Sequence, residues 1–370
     1  MLEITNIRDG AVLDHNDGIE TSDYLEIKVE GISTSQAEVL VNGRPADRVD
    51  RLFSAKVRLT QKINTITVLA DDAFGVVTQT ITVVWDKNSF KRYNFFFDDC
   101  SFFLRSIGTT RPKSIFDEMF LGRLKKIHVK YGTKFTLNLF GHDDHHDYSI
   151  TDFPEDYKPE FQANADWLKM SFHAKSEFPD RPYQNATAET LAEDYDFIYG
   201  QVCRFAGKEC FMRPLVIHWG MTNPENFKVL RERGVHLLTG GFIDCATRIG
   251  ETHACSITDI GYHYEKDYAV YLRDKHRIYD RHQDMLLMTN LVCCNLCPQE
   301  RILAKFEKLA ENPCDTISLM SHEQYSYPDY FNYLPDHLDR IELACRLITE
   351  AGYKPVYFAE HFAGNDAWEK

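Results

Sequence analysis

Up to residue 88, apolar and polar positions alternate in short runs: "YLEIKVEG", "AEVLVNG", "FSAKVRLT", "NTITVLADD" and "VVTQTITVVWD". Period-two patterning rich in β-branched residues predicts half-buried strands. Turn signals such as "NGRPAD", "QKIN" and "DDAFG" separate them. Past residue 88 the period changes. "YNFFFDD" reads as a buried strand, and "SIFDEMFLGRLKKIHVKYG" has helical apolar spacing with Gly132 as its stop. Strands are predicted at "KFTLNLF", "WLKMSFH", "FMRPLVIHWG", "VHLLTGG", "DMLLMTNLVCC", "DTISLMSH" and "KPVYFAE". Helices alternate with them, among them "TAETLAEDYDFIYGQVCRFAG" with Thr187 as N-cap, "NPENFKVLRERG", "PQERILAKFEKLA" and a long helix up to Gly352.

The first pattern suggests an all-β sandwich of immunoglobulin-like type over residues 1–88, and residues 53–86 resemble the last strands of bacterial immunoglobulin-like modules. "DKNSFKR" is then a polar linker. The second pattern, over residues 89–370, predicts an α/β fold: a parallel sheet closed as a distorted (β/α) barrel of seven or eight strands. Barrels of this kind build their chemistry at the C-terminal ends of the strands.

Composition narrows the partners. A net charge of −14 argues against nucleic-acid backbones and against polybasic attachment to membranes. No run approaches the ~18 apolar residues of a membrane span, and the start shows no signal-peptide pattern. With ten cysteines and no dense disulfide spacing, reduced thiols in a cytoplasmic setting are expected. "CCNLC" at 293–297 could hold zinc, but no second cysteine pair follows, so buried free thiols are the expectation there.

Three predicted strands end in polar groups: "FFFDD" in Asp98–Asp99, "KMSFH" in His173, and "ISLMSH" in His322. His218 lies in "LVIHWG", and the loop after the second strand reads "GHDDHHDY". Singly, each has a plain reading as a turn, a cap or a solvated loop. Together they are a divalent-metal ligand set placed where a barrel builds its site.

On these residues the chain resembles the polysaccharide deacetylase family of carbohydrate esterases, from about residue 93 to 361. The resemblance implies Asp98 as catalytic base and Asp99 as metal ligand. The family's second motif has two histidines four residues apart; "SFHAKSEF" supplies His173, with Glu177 in the second place. Either Glu177 or His218 would complete the metal set. "FMRPLVIHWG" matches the third motif at Arg213–Pro214 without the second proline, and implies that Arg213 holds Asp98 ionised and oriented. "SLMSHEQYSY" places His322 as the general acid, and "EAGYKPVYFAE" matches the tail.

The function so implied is hydrolysis of an N-acetyl-type acyl group, acting on carbon–nitrogen bonds, with zinc as the favoured ion and a carbohydrate or acylated small molecule as substrate. Trp219, Tyr183 and Tyr325 are candidates for a wall on which a sugar ring stacks. The stretch 242–283 is too long for a simple connection and is expected to cover the site. Two other readings stand beside this one: a catalytically lapsed barrel that binds carbohydrate, and a chain whose function lies in the amino-terminal sandwich.

Overall fold

The computed structural model describes residues 1–72, 75–240 and 266–370. It divides into two compact units: Met1–Ser89 with Arg277–Leu286 and Asn365–Lys370, and Phe90–His276 with Leu287–Gly364. The two late segments of the first unit fall in the stretch that sequence patterning gives to the barrel.

The first unit is built from two sheets, antiparallel except for one short ladder. In one, Leu25–Ser33 lies between Leu2–Ile4 and Leu52–Leu59, and Gly18–Glu20 also pairs with it. In the other, Ile63–Asp72 pairs with Gly75–Trp85 and with Val39–Val41, and Val12–Leu13 joins the far edge of Gly75–Trp85 in parallel. Leu25, Ile27, Val29, Val57 and Leu59 from the first sheet meet Val39, Val41, Ile66, Val68, Ile81 and Val83 from the second in one apolar core. That is the alternation seen in the sequence, now facing inward.

The second unit is a curled, largely parallel sheet flanked by helices. Its strands are β1 (Arg92–Cys100), β2 (Phe135–Phe140), β3 (Leu168–Ala174), β4 (Leu237–Gly240), β5 (Met285–Cys293) and β6 (Thr316–His322). Their order is β3-β2-β1-β6-β5-β4, and Lys354–Pro355 adds to β1. The main helices are α1 (Phe102–Thr110), α2 (Met119–Tyr131), α3 (Ala188–Phe205), α4 (Gln299–Glu311) and α5 (His337–Glu350). Every residue of β1 is buried, which accounts for its unbroken apolar run. The Thr187 side chain accepts the Thr190 N–H to start α3, and Gly132 ends α2 at φ 71°.

Three expectations change. No regular strand forms over 211–220. Phe211 makes only a bridge to Met170, and the chain then runs between β3 and β4, with the Met212 N–H on the Met170 carbonyl and the Thr239 N–H on the Leu215 carbonyl. Pro214 explains the irregularity, because it has no N–H to give a ladder. The regular strands therefore form a half-barrel, with an irregular segment across the opening. The 86–92 stretch does hold the boundary between the units, but its two ends, Asp86 and Arg92, are fully buried rather than solvated. Arg92 gives its guanidinium hydrogens to the carbonyls of Phe90, Phe362 and Ala363. Of the long stretch at 242–283, residues 242–265 lie outside the described residues, Lys266–Lys275 is helical and Arg277–Asp280 is a strand of the first unit.

Candidate metal and acid–base site

Parallel register brings the strand ends together. Asp98 on β1 stands opposite His322 on β6, and β3, two strands over, ends in His173–Ala174. Asp99 takes a left-handed backbone, φ 58°, where the strand breaks into α1. That turn sends the two neighbouring aspartates in different directions, so adjacent carboxylates need not face one another. His218 arrives from the irregular segment, just before Trp219 at φ 65°.

Asp99, His173 and His218 converge. Asp99 Oδ1 lies 3.1 Å from His173 Nε2 and 3.5 Å from His218 Nδ1, and the two ring nitrogens are 3.0 Å apart. Bonds of ~2.0–2.1 Å to a tetrahedral ion place neighbouring ligand atoms roughly 3.3 Å apart. The triangle brackets that value. Among the described residues of this unit it is the group of histidine, cysteine and acidic side chains close enough to share one cation.

The charges suit the same reading. Burial, reinforced by His173, pushes His218 down to about 3, so its imidazole is neutral, the form a metal ligand needs. Burial also opposes ionisation of Asp99, but His322, His173 and His218 together outweigh it and hold this carboxyl well below the usual range. His173 runs the other way: burial disfavours its charge, yet Asp98 and Asp99 raise it above the ordinary imidazole value.

Asp98 is held for a different task. Its Oδ1 accepts the Asn138 side-chain N–H at 2.7 Å and lies 3.8 Å from His173 Nδ1. Burial raises its pKa, against the pull of His173 and His322. A carboxylate of raised basicity beside a metal triangle is suited to take a proton from water. Across the mouth, His322 Nδ1 meets Asn295 Oδ1 at 2.9 Å, and Nε2 faces Asp99 Oδ2 at 3.9 Å. Because an amide oxygen only accepts, Nδ1 carries a hydrogen there and Nε2 is the atom presented to the site.

Two expectations are corrected by this geometry. Glu177 is not in the triangle: its Oε2 receives His145 Nε2 and Gln324 Nε2, each at 2.9 Å, at the rim. The third corner is His218. Arg213 does not touch Asp98; its guanidinium donates to the Ala359 carbonyl and its stem packs beside Gly234. It sits near the start of the irregular segment, five residues short of His218, and Asn138 fills its place at Asp98. The proposed stacking wall changes too. Tyr183 is buried, bonding Asp194 and the Lys175 N–H, while Trp219 stays 38 % exposed under the Arg181 guanidinium. Tyr325 lies beside His322, with ring centroids 6.1 Å apart. Phe178 and Phe331, both exposed and both in ring contact with His145, were not singled out by sequence reasoning.

The "GHDDHHDY" loop is more than solvated charge. Asp143 is buried and accepts the His145 backbone N–H, with His146 Nδ1 and Arg105 alongside. Cys293, Cys294 and Cys297 carry free thiols, and Cys293 donates to Asn295. Cys245 and Cys255 lie outside the described residues.

No protein-family model matches the chain, and no curated protein is similar to it. Among solved structures, a candidate alpha-galactosidase from Bacteroides fragilis aligns over 94% of this chain and 78% of its own, at 11% identity and a TM-score of 0.27. A maltogenic amylase from S. marinus aligns over 94% of this chain and 59% of its own, at 11% identity and a TM-score of 0.19. At those TM-scores neither likeness bears on fold or chemistry.

Proposed function

We propose that the chain is a divalent-metal-dependent hydrolase of the polysaccharide deacetylase type, removing an N-acetyl-type acyl group from a carbohydrate. The supporting observation is the Asp99–His173–His218 triangle, flanked by Asp98 on one side and His322 on the other. In this reading the second unit is a deacetylase-like (β/α) barrel and the first an immunoglobulin-like sandwich.

Zinc suits two imidazoles and a carboxylate, and when bound it would lower the pKa of a water and polarise the acyl oxygen. The chain's own groups do the rest. Asp98 takes the proton of the attacking water, and Asn138 fixes its orientation. His322 delivers a proton from Nε2 to the departing nitrogen, its ring angle set by Asn295. Trp219, Phe178 and Phe331 offer open aromatic faces to a sugar ring.

Elemental analysis of the purified full chain, with acetate release from N-acetylated chito-oligosaccharide, tests the proposal. One equivalent of a divalent metal and activity that disappears with chelator are expected. A protein that takes up no zinc, manganese, nickel or cobalt would end the metal-centre reading. Metal uptake without acetate release from any acylated sugar would favour the lapsed, carbohydrate-binding barrel instead.

A further inference from the structure

The residue that follows the proposed acid, Glu323, is completely buried and has no part in the mechanism above. Its backbone N–H donates to the Asp98 carbonyl at 3.0 Å. Its carboxylate accepts the N–H groups of Ser101 at 2.8 Å, Phe102 at 3.0 Å and Phe103 at 2.7 Å. These are the free donors at the start of α1, where an N-cap side chain would ordinarily serve. Ser101 occupies the N-cap position and makes no such bond. A carboxylate from the residue just past β6 has taken over the cap.

The far side of Glu323 is also engaged. The Tyr327 hydroxyl lies 3.1 Å from Glu323 Oε1 and 3.0 Å from Glu118 Oε1, and Glu118 Oε2 accepts the Leu121 N–H. One hydroxyl has one hydrogen, so it cannot donate to two carboxylates at once. The Tyr327 hydroxyl bridges the two glutamates, and burial raises both carboxyls above their usual range. The hydroxyl sits between the two buried carboxyls and backs Glu323 on the side away from α1.

We infer that Glu323 is the positioning residue that aims Asp98 and Asp99: it grips the chain through its own N–H on the Asp98 carbonyl and through its carboxylate on three N–H groups just beyond Asp99. Asp99 needs such a grip, since its left-handed backbone is one that a residue with a side chain rarely adopts unaided. Glu323 holds the chain on both sides of that residue and is itself continuous with His322. One buried residue, by its backbone N–H and its carboxylate, thus ties the base, the metal corner and the acid into a fixed triangle. The functional meaning rests on the metal-centre reading; the grip itself does not.

The test uses the full chain with Glu323→Gln, whose amide sets an N–H against the helix N–H groups. Three readouts apply: amide hydrogen exchange of the 98–103 segment in metal-free protein, zinc affinity by competition with a chromophoric chelator, and the visible spectrum of the Co²⁺-loaded protein. Exchange at 98–103 is expected to quicken while β2 stays protected. Zinc affinity should fall roughly 10–100-fold, the range for groups that orient a ligand, with an altered cobalt spectrum. Tyr327→Phe leaves the three N–H bonds in place and should keep zinc affinity close to wild type. Wild-type exchange at 98–103 in Glu323→Gln overturns the inference. So does faster exchange with unchanged zinc affinity and cobalt spectrum, or an equal loss in Tyr327→Phe. If Glu323→Gln does not fold, Glu323→Asp, which keeps the charge but reaches fewer donors, is read in the same way. Should wild-type protein bind neither zinc nor cobalt, the metal-centre reading fails, and the exchange comparison alone decides whether Glu323 holds the segment.

Discussion

Asp98 and Asp99 are neighbours in sequence with opposite ionisation tendencies. Asp99 has three imidazoles around it and stays ionised, whereas Asp98 is burdened mainly by burial and becomes the more basic of the two. Asp98→Asn should therefore keep zinc bound but lower acetate release by roughly 10²–10⁴-fold, the scale of a general acid–base group. Asp99→Ala should instead lose the metal, which chelator competition will read directly. Another histidine carries a prediction about stability. His337 is fully buried between the hydroxyls of Ser321 and Ser326, and burial pushes it down to about 3. Below the ordinary value of ~6.5 the unfolded chain takes up a proton that the folded chain refuses. Stability from this group is thus complete above that pH and falls as pH drops toward 3, at ~1.4 kcal/mol per pH unit. Glu323, raised to about 8 by burial, acts in the opposite sense, losing stability as pH rises from ~4.5 to 8, a range that overlaps that of His337. The comparison must therefore be between proteins. Between pH 5 and 6.5 the slope of the urea midpoint against pH should be less positive, or more negative, in His337→Asn than in wild type, because the rise with pH that His337 supplies is lost; equal slopes would refute the assignment.

At the scale of elements, β1 is the beam from which the site hangs. Phe95 and Phe97 stack on one face with ring centroids 5.0 Å apart, and Phe97 meets the edge of Phe120 on α2 at the same distance. Phe135 of β2 closes the cluster. Truncating a wholly buried phenylalanine removes its transfer energy and leaves a cavity, at a cost of ~3–5 kcal/mol. Phe97→Ala should show that loss in urea unfolding. These elements were readable in the sequence, since an unbroken apolar run bounded by turns marks a strand buried on both faces. The segment at 211–220 was not. Its hydropathy suits a strand, but a ladder depends on donors, and Pro214 withholds one where β3 and β4 would need it.

For the molecule as a whole, sequence order and spatial grouping part company. Arg277, far along the chain, is buried in the first unit between Asp14 Oδ2 at 2.6 Å and Asp86 Oδ2 at 2.7 Å. Asn365 bonds Asp86 from the carboxyl-terminal end, and the Trp368 indole N–H donates to the Trp85 carbonyl. Removing one partner of a buried pair leaves the others charged and unsolvated, which costs about 3–5 kcal/mol. Arg277→Ala should therefore lower the thermal midpoint of the first unit, while zinc affinity, read on the second unit, stays unchanged. Loss of zinc in that variant would show that the two units do not unfold independently.

The sequence by itself determined most of the elements and which polar residues lie at strand ends. Period-two runs, the switch to alternating strands and helices, and polar residues at strand ends are local patterns, and local patterns follow from side-chain periodicity and capping. Asp98, Asp99, His173, His218 and His322 were all legible in that way, because a parallel sheet brings the ends of its strands to one edge. Tertiary structure decided which of them meet. His218 rather than Glu177 completes the triangle, Asn138 rather than Arg213 holds Asp98, and Glu323 reaches across more than two hundred residues to cap α1. Residues 277–286 and 365–370 join the first unit for the same reason. Such choices depend on distances of a few ångströms between segments remote in the chain, where one hydrogen bond or one buried charge outweighs any periodicity that sequence can display.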